Sequence, residues 1–267
     1  MTVSAQEPSL PPKRLSPPSV RLMAMWAFVL AVVVAWQVYS SFVPPVVIPS
    51  PQRVLLRFGQ LWTEPRYLLY AWYSFYHVVV SVAVAFVAGV ALSLVAHYFA
   101  ITETAIYRRL SPFLNSFTGV GWAFLALIWI GVNDAAVIFT TSVALLPFVI
   151  INAGAGLREL NREMVEMSVS FTRRPLRQIF RVILPMLFPY LFSTIRLCFG
   201  IGAQIALTSE LLCGSPGLGT LINVAKQRYW TDMVFAVALT VLIFVYLIDR
   251  VVFAAIQKRI RRRYVLG

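Results

Sequence analysis

From Met23 to Val43 the chain carries no charged side chain, and about 20 such residues wound as a helix suffice to cross a hydrocarbon core of about 30 Å. Further apolar runs follow from Phe75 to Tyr98, Ser116 to Val132, Ala135 to Asn152, Pro185 to Leu212, and Met233 to Leu247 with its flanks. A backbone group left unpaired in lipid costs several kcal/mol, so each run must satisfy its own hydrogen bonds as a helix or join a closed barrel. No alternation of apolar and polar residues over segments of about ten marks barrel strands. The expected class is therefore an all-α membrane protein with about six transmembrane helices. Lys13, Arg14 and Arg21 precede the first run as they would in a signal peptide, but the run is long for one. Pro44-Pro45 also stands where small residues would mark cleavage, so an uncleaved anchor is expected.

Composition agrees: 60% of residues are hydrophobic and 12% charged, against about 45–50% and about 25% in an average soluble chain. Residues 1–20, with Pro8, Pro11, Pro12, Pro17 and Pro18 and little apolar content, read as a disordered arm. Residues 21–257 read as one membrane domain and 258–267 as a basic tail. Cys198 and Cys213 have neither disulfide-framework nor zinc spacing, and no cofactor or metal is expected in this chain.

Basic residues orient the spans. With the N-terminus inside, seventeen Lys and Arg fall on inner segments, against Arg53, Arg57, Arg66, Lys226 and Arg228 on outer ones. Cytoplasmic segments carry the excess of positive charge, so both termini are expected in the cytoplasm. The same placement explains the formal net charge of +13 without nucleic acid, since the charges flank spans instead of sharing a face with aromatic platforms.

Two outer segments have organisation of their own. After Ser50-Pro51, a helix would place Val54, Leu55, Phe58, Leu61 and Trp62 on one face and Arg53 and Arg57 on the other, an interfacial amphipathic arrangement. Gly214-Ser215-Pro216-Gly217-Leu218-Gly219 is rich in turn residues, but it matches neither a dinucleotide fingerprint nor a phosphate-binding loop. Asn133-Asp134 predicts a tight hairpin between the third and fourth spans.

The polar interruption at about 157–184 holds two helical patterns. Leu157, Leu160, Met164, Met167 and Phe171 recur at three to four residues, with Glu159, Glu163, Glu166 and Ser170 opposite. Arg173-Arg174-Pro175 breaks this helix, and Leu176, Ile179, Phe180 and Ile183 form a second apolar stripe. The pattern predicts a knob of two short helices; an ordinary solvated loop with some helix is the alternative.

Glu166, then Met167 and Ser168, Thr172 six positions on and Leu184-Pro185 at eighteen and nineteen resemble the coupling loop of ABC-importer permeases. Met167 stands where the family has Ala, and Thr172-Arg173 where it has Gly-Ala. Ile48-Pro49-Ser50-Pro51, Ser209-Glu210, Gly217-Leu218-Gly219, Thr231-Asp232, Val234-Phe235 and Asp249-Arg250 extend the likeness to the sulfonate/nitrate/taurine-type permeases. The resemblance implies an inner-membrane importer subunit that pairs with a second permease copy, two ATPase subunits and an external solute-binding protein. ATP and Mg would be bound by the partner ATPase, since this chain has no Walker A sequence. It also implies that Glu166, Met167, Ser168, Thr172, Arg173, Leu176, Ile179 and Phe180 engage the ATPase.

Polar or amphipathic groups within spans prefer a bundle interior or a hydrated path. Trp122, Asn152, Arg196, Gln204, Thr208 and Glu210 are the candidates to line a path for a small anion. Arg196 has two readings, structural pairing or hydrated lining on the one hand and contact with an anionic solute on the other. Three other classes compete: a secondary transporter, which would be expected to show internal repeats; an intramembrane hydrolase, for which no catalytic set is evident; and a membrane anchor that does not transport.

Overall fold

The computed structural model describes residues 18–160 and 179–257. All regular structure among them is helical: α1 (Pro18–Phe42), α2 (Pro51–Thr63), α3 (Pro65–Tyr98), α4 (Ala100–Glu103), a π-helical segment (Thr104–Leu110), α5 (Ser111–Ser116), α6 (Gly119–Trp129) and α7 (Asp134–Arg158). After a π-helical turn at Ile179–Ile183 come α8 (Leu184–Cys213), α9 (Leu218–Gln227), α10 (Thr231–Ile248) and another π-helical turn at Asp249–Phe253. α1 begins inside the stretch expected as a disordered arm, with Pro18 in its first turn, where the missing N–H costs nothing. The rest of that arm and the basic tail lie outside the described residues.

Among the described residues, five helical segments are long and apolar enough to span a membrane, and the bent pair Ile101–Ser116 with Gly119–Trp129 makes a sixth when taken as one span. Five to six spans agree with the expected number of about six, but the third departs in shape. It was expected as one straight run from Ser116 to Val132, whereas Ser116 ends α5 and the chain turns by 83° into α6. Phe117 and Thr118 are extended, and the Thr118 hydroxyl caps α6 by accepting from the Gly121 amide at 3.3 Å. α6 has 11 residues, about 16 Å of helix, too little to cross the core alone. The hairpin after it forms as expected, with the Asn133 side chain capping α7 by accepting from the Ala136 amide at 2.9 Å.

α3, α7 and α8 form the centre. Val78, Val82, Ala85 and Val90 interleave with Leu145, Val149 and Ala153, and with Leu187, Leu191, Cys198, Phe199, Ala203 and Ala206. The amphipathic α2 packs one edge on the bundle: Leu61 joins Leu221, Ile222, Met233 and Val237 of α9 and α10, while Leu55 stays exposed. α1 is apolar all round and has no residue of its span buried within the chain, as lipid contact or an uncounted partner would require.

Candidate functional site

Of the expected coupling residues, Glu166, Met167, Ser168, Thr172, Arg173 and Leu176 lie outside the described residues. Ile179 packs against the central core, and Ile183 is almost fully buried within it. Phe180 lies in the π-helical turn between them. The loop therefore re-enters the bundle on a buried apolar edge.

The candidate path residues separate into two groups. Trp122 is buried and its indole donates to the Leu114 carbonyl at 3.3 Å, so it braces α6 against α5. Glu210, in the last turn of α8, is fully buried. Neither reaches an open surface of this chain, because each is consumed by a contact between its own helices. Asn152 is half-buried, and its amide donates back to the Phe148 carbonyl at 2.8 Å. Gln204 and Thr208 are exposed on α8. Arg196 and Gln204 meet in one open cleft of about 500 Å3, lined also by Ser193, Gly200, Asp249 and Gln257.

The Arg196 guanidinium is held from two sides in that cleft. Nε and Nη2 donate to the two Asp249 carboxylate oxygens at 2.5 and 2.8 Å, and Nη1 donates to Gln257 Oε1 at 2.9 Å. This is the fork geometry that suits arginine to a carboxylate. Both side chains remain about 37% exposed, so the pair ties α8 to the end of α10 while staying open to the cleft.

Glu210 organises a closed knot. Its Oε1 shares a hydrogen bond of 2.8 Å with His77 Nδ1, and its Oε2 accepts from the Ser74 hydroxyl at 2.7 Å and the Gly219 amide at 2.9 Å. Ser74 accepts in turn from the Leu218 amide at 2.8 Å. Side chains of α3 and α8 thus satisfy the first amides of α9, where a helix presents unpaired N–H groups and favours negative charge. His77 Nε2 lies 3.4 Å from Asp134 Oδ1, which also accepts from the Ser215 hydroxyl at 2.5 Å.

The turn residues have a steric reason to be there. α8 ends on Gly214 in the left-handed region at φ 67°, with its amide bonded to the Glu210 carbonyl. A Cβ on Gly217 would sit 2.3 Å from the Glu210 carboxyl, and one on Gly219 would sit 2.2 Å from the Leu207 carbonyl oxygen. The sequence placed His77 near a span end without a role; the nearby signal was an acid at the end of another span, followed by a glycine-rich turn.

What this arrangement offers is a helical membrane bundle with a polar cleft, a braced turn and a loop between α7 and α8, and comparison with known proteins gives it a setting. The chain is 22% identical over 232 residues to the bicarbonate transport system permease protein of Synechocystis sp., covering 78% of this chain and 79% of that one. It is 26% identical over 209 residues to a Bacillus subtilis permease protein named for aliphatic sulfonates transport, covering 77% and 75%. Its fold matches a chain of the inward-facing MetNI methionine ABC transporter with a TM-score of 0.61 at 20% identity, over 75% of this chain and 98% of that one. The model of the binding-protein-dependent transport system inner membrane component matches residues 18–263, and the chain belongs to that family of permeases.

Proposed function

We propose that two copies of this chain form the membrane path of an ATP-driven importer in the bacterial inner membrane, with both termini in the cytoplasm. The observation that carries this reading is the open face of α8. Ser193, Gln204 and Thr208 are exposed there, and a Cβ added at Gly200 would meet open space. Polar groups on a membrane helix are costly against lipid, so this face suits a hydrated path or a second copy. The loop at about 157–184 would dock on a separate ATPase, which binds ATP and Mg, and an external binding protein would deliver the solute. ATP binding and hydrolysis in that partner then bias the bundle between outward-open and inward-open states.

The solute we propose is a small anion such as a sulfonate, nitrate or taurine. The relatives named for bicarbonate and for sulfonates support this class, whereas the methionine transporter shows the same fold in the service of another solute. Arg196 supports the reading only conditionally, since Asp249 already neutralises it; a passing anion would have to compete with that carboxylate.

Uptake by vesicles containing the permease, the copurifying ATPase and the cognate binding protein tests the proposal. ATP-dependent anion uptake is expected, and Glu166→Lys should abolish ATPase copurification while insertion persists. Uptake driven by an ion gradient without ATP would assign a secondary transporter, and assembly without any uptake a mere anchor. Cysteines at Gly59, Val132 and Lys226 should all label from outside; protection of Val132 would overturn the orientation.

A further inference from the structure

The foot of α7, where the loop begins, is clamped from two sides by tyrosines. Gly154 and Gly156 are two residues apart and so face directions about 200° apart on the helix. Each is covered by a ring: a Cβ on Gly154 would come 2.5 Å from Tyr107 Oη, and one on Gly156 would come 2.9 Å from Tyr190 Cγ. Tyr107 belongs to the π-helical segment Thr104–Leu110 and Tyr190 to α8. One turn further along, Arg158 and Glu159 engage the same two tyrosines. The Arg158 guanidinium lies 5.1 Å above the Tyr107 ring and donates to Glu103 Oε1 at 3.2 Å. Glu159 Oε2 accepts from the Tyr190 hydroxyl at 2.5 Å.

These contacts have a common consequence. Tyr190 lies beyond the loop and Glu159 at its start, so their hydrogen bond joins the loop's two feet. Tyr107 and Arg158 fasten the same foot to the bent third span. Glycine is needed because any side chain at 154 or 156 would push a ring away. The two polar latches at the rim, Arg158–Glu103 and Tyr190–Glu159, are exposed, so they contribute little to holding the bundle together. Their geometry fits a joint, with flat rings bearing on bare helix backbone and polar latches at the rim.

We infer that Tyr190–Glu159 makes the two feet of the loop move as one body, with Tyr107–Arg158 tying that body to the third span, so that they set how much solute moves per ATP hydrolysed. This rests on the importer reading proposed above. Tyr190 and Glu159 act here as positioning residues, since neither need touch solute or nucleotide.

The test compares wild type, Tyr190→Phe and Glu159→Gln in proteoliposomes with the ATPase and binding protein, measuring uptake and ATP hydrolysis in the same preparation. Tyr190→Phe keeps the ring on Gly156 and removes only the hydroxyl, so ATPase copurification should persist while solute moved per ATP falls about fivefold. Glu159→Gln keeps an acceptor for the hydroxyl and should retain most of the ratio. An unchanged ratio in Tyr190→Phe overturns the joint. An equal fall in both variants also overturns it, because the hydrogen bond would not be the operative feature. If wild type itself shows no ATP-dependent uptake, the importer reading fails instead, and the two failures are thereby distinguished.

Discussion

The Glu210 knot and the Arg196 pair both join a carboxylate to a basic side chain on a neighbouring helix, yet they differ in burial. Glu210 and His77 are fully buried, and glycines at 217 and 219 let the turn close onto the carboxyl group, where any side chain would clash. Arg196 and Asp249 face an open cleft with more than a third of each side chain exposed. A buried carboxyl group whose two oxygens are both engaged fixes the helices that supply its partners, because releasing it would strand polar groups in the interior. A half-exposed pair lining an open cleft can be opened and remade at smaller cost where that cleft is hydrated. The knot therefore serves as a fixed point of the bundle, and the pair is where change can be accommodated.

The sharpest way to break this contrast is Glu210→Ala. It leaves His77 Nδ1, the Ser74 hydroxyl and the Gly219 amide without their partner, and should cost about 3–5 kcal/mol. Thermal unfolding of the detergent-purified chain would show it as a large fall in melting temperature or loss of monodisperse protein. Gly219→Ala should follow at about 1–3 kcal/mol, because the new methyl meets the Leu207 carbonyl and cannot be relieved by a side-chain rotation. A thermal profile unchanged by Glu210→Ala would mean that the knot fixes nothing.

The Arg196 pair should respond in the opposite sense. Arg196→Gln keeps donors for Asp249 and Gln257 but removes the charge, so the melting temperature should move by no more than about 2 °C. Uptake should nevertheless fall, because the cleft loses its one cation among the lining residues. Full uptake at an unchanged rate would take Arg196 out of the path, and loss of folded protein would place it with the knot.

This division was only partly legible in the sequence. Span number, the Asn133 hairpin and the turn at Gly214 to Gly219 all depend on residues close in the chain, where apolar length and turn chemistry suffice. The bend at Phe117-Thr118 was missed because apolar residues continue on both sides of it, so hydropathy does not register a change of direction. Arg196 was recognised as needing an explanation, but Asp249 lies 53 positions away, and His77 lies 133 positions from Glu210. No local spacing encodes such pairings; they depend on which helix faces pack together. Glu210 was read as path lining for this reason, since an acid near a span end looks the same whether it faces a path or a buried histidine.

A rim pair gives the smallest expected effect and the most direct control. Arg57 of α2 donates from Nε to Asp232 Oδ2 at 2.8 Å and from Nη1 to Gln60 Oε1 at 2.9 Å. Asp232 keeps a second attachment, accepting from the Met233 amide at 3.0 Å in the first turn of α10, where a carboxylate is favoured without any partner. Arg57→Ala therefore strands nothing and should cost no more than about 0.5 kcal/mol. Salt at about 0.5 M should erase even that difference, since exposed charges are screened within a few ångströms at such ionic strength. The chemistry of this pair is again a carboxylate with a base, so it isolates burial as the variable. A destabilisation by Arg57→Ala that approached the effect of Glu210→Ala and survived salt would show that helix pairing by charge, and not burial, separates the fixed part of the bundle from the yielding one.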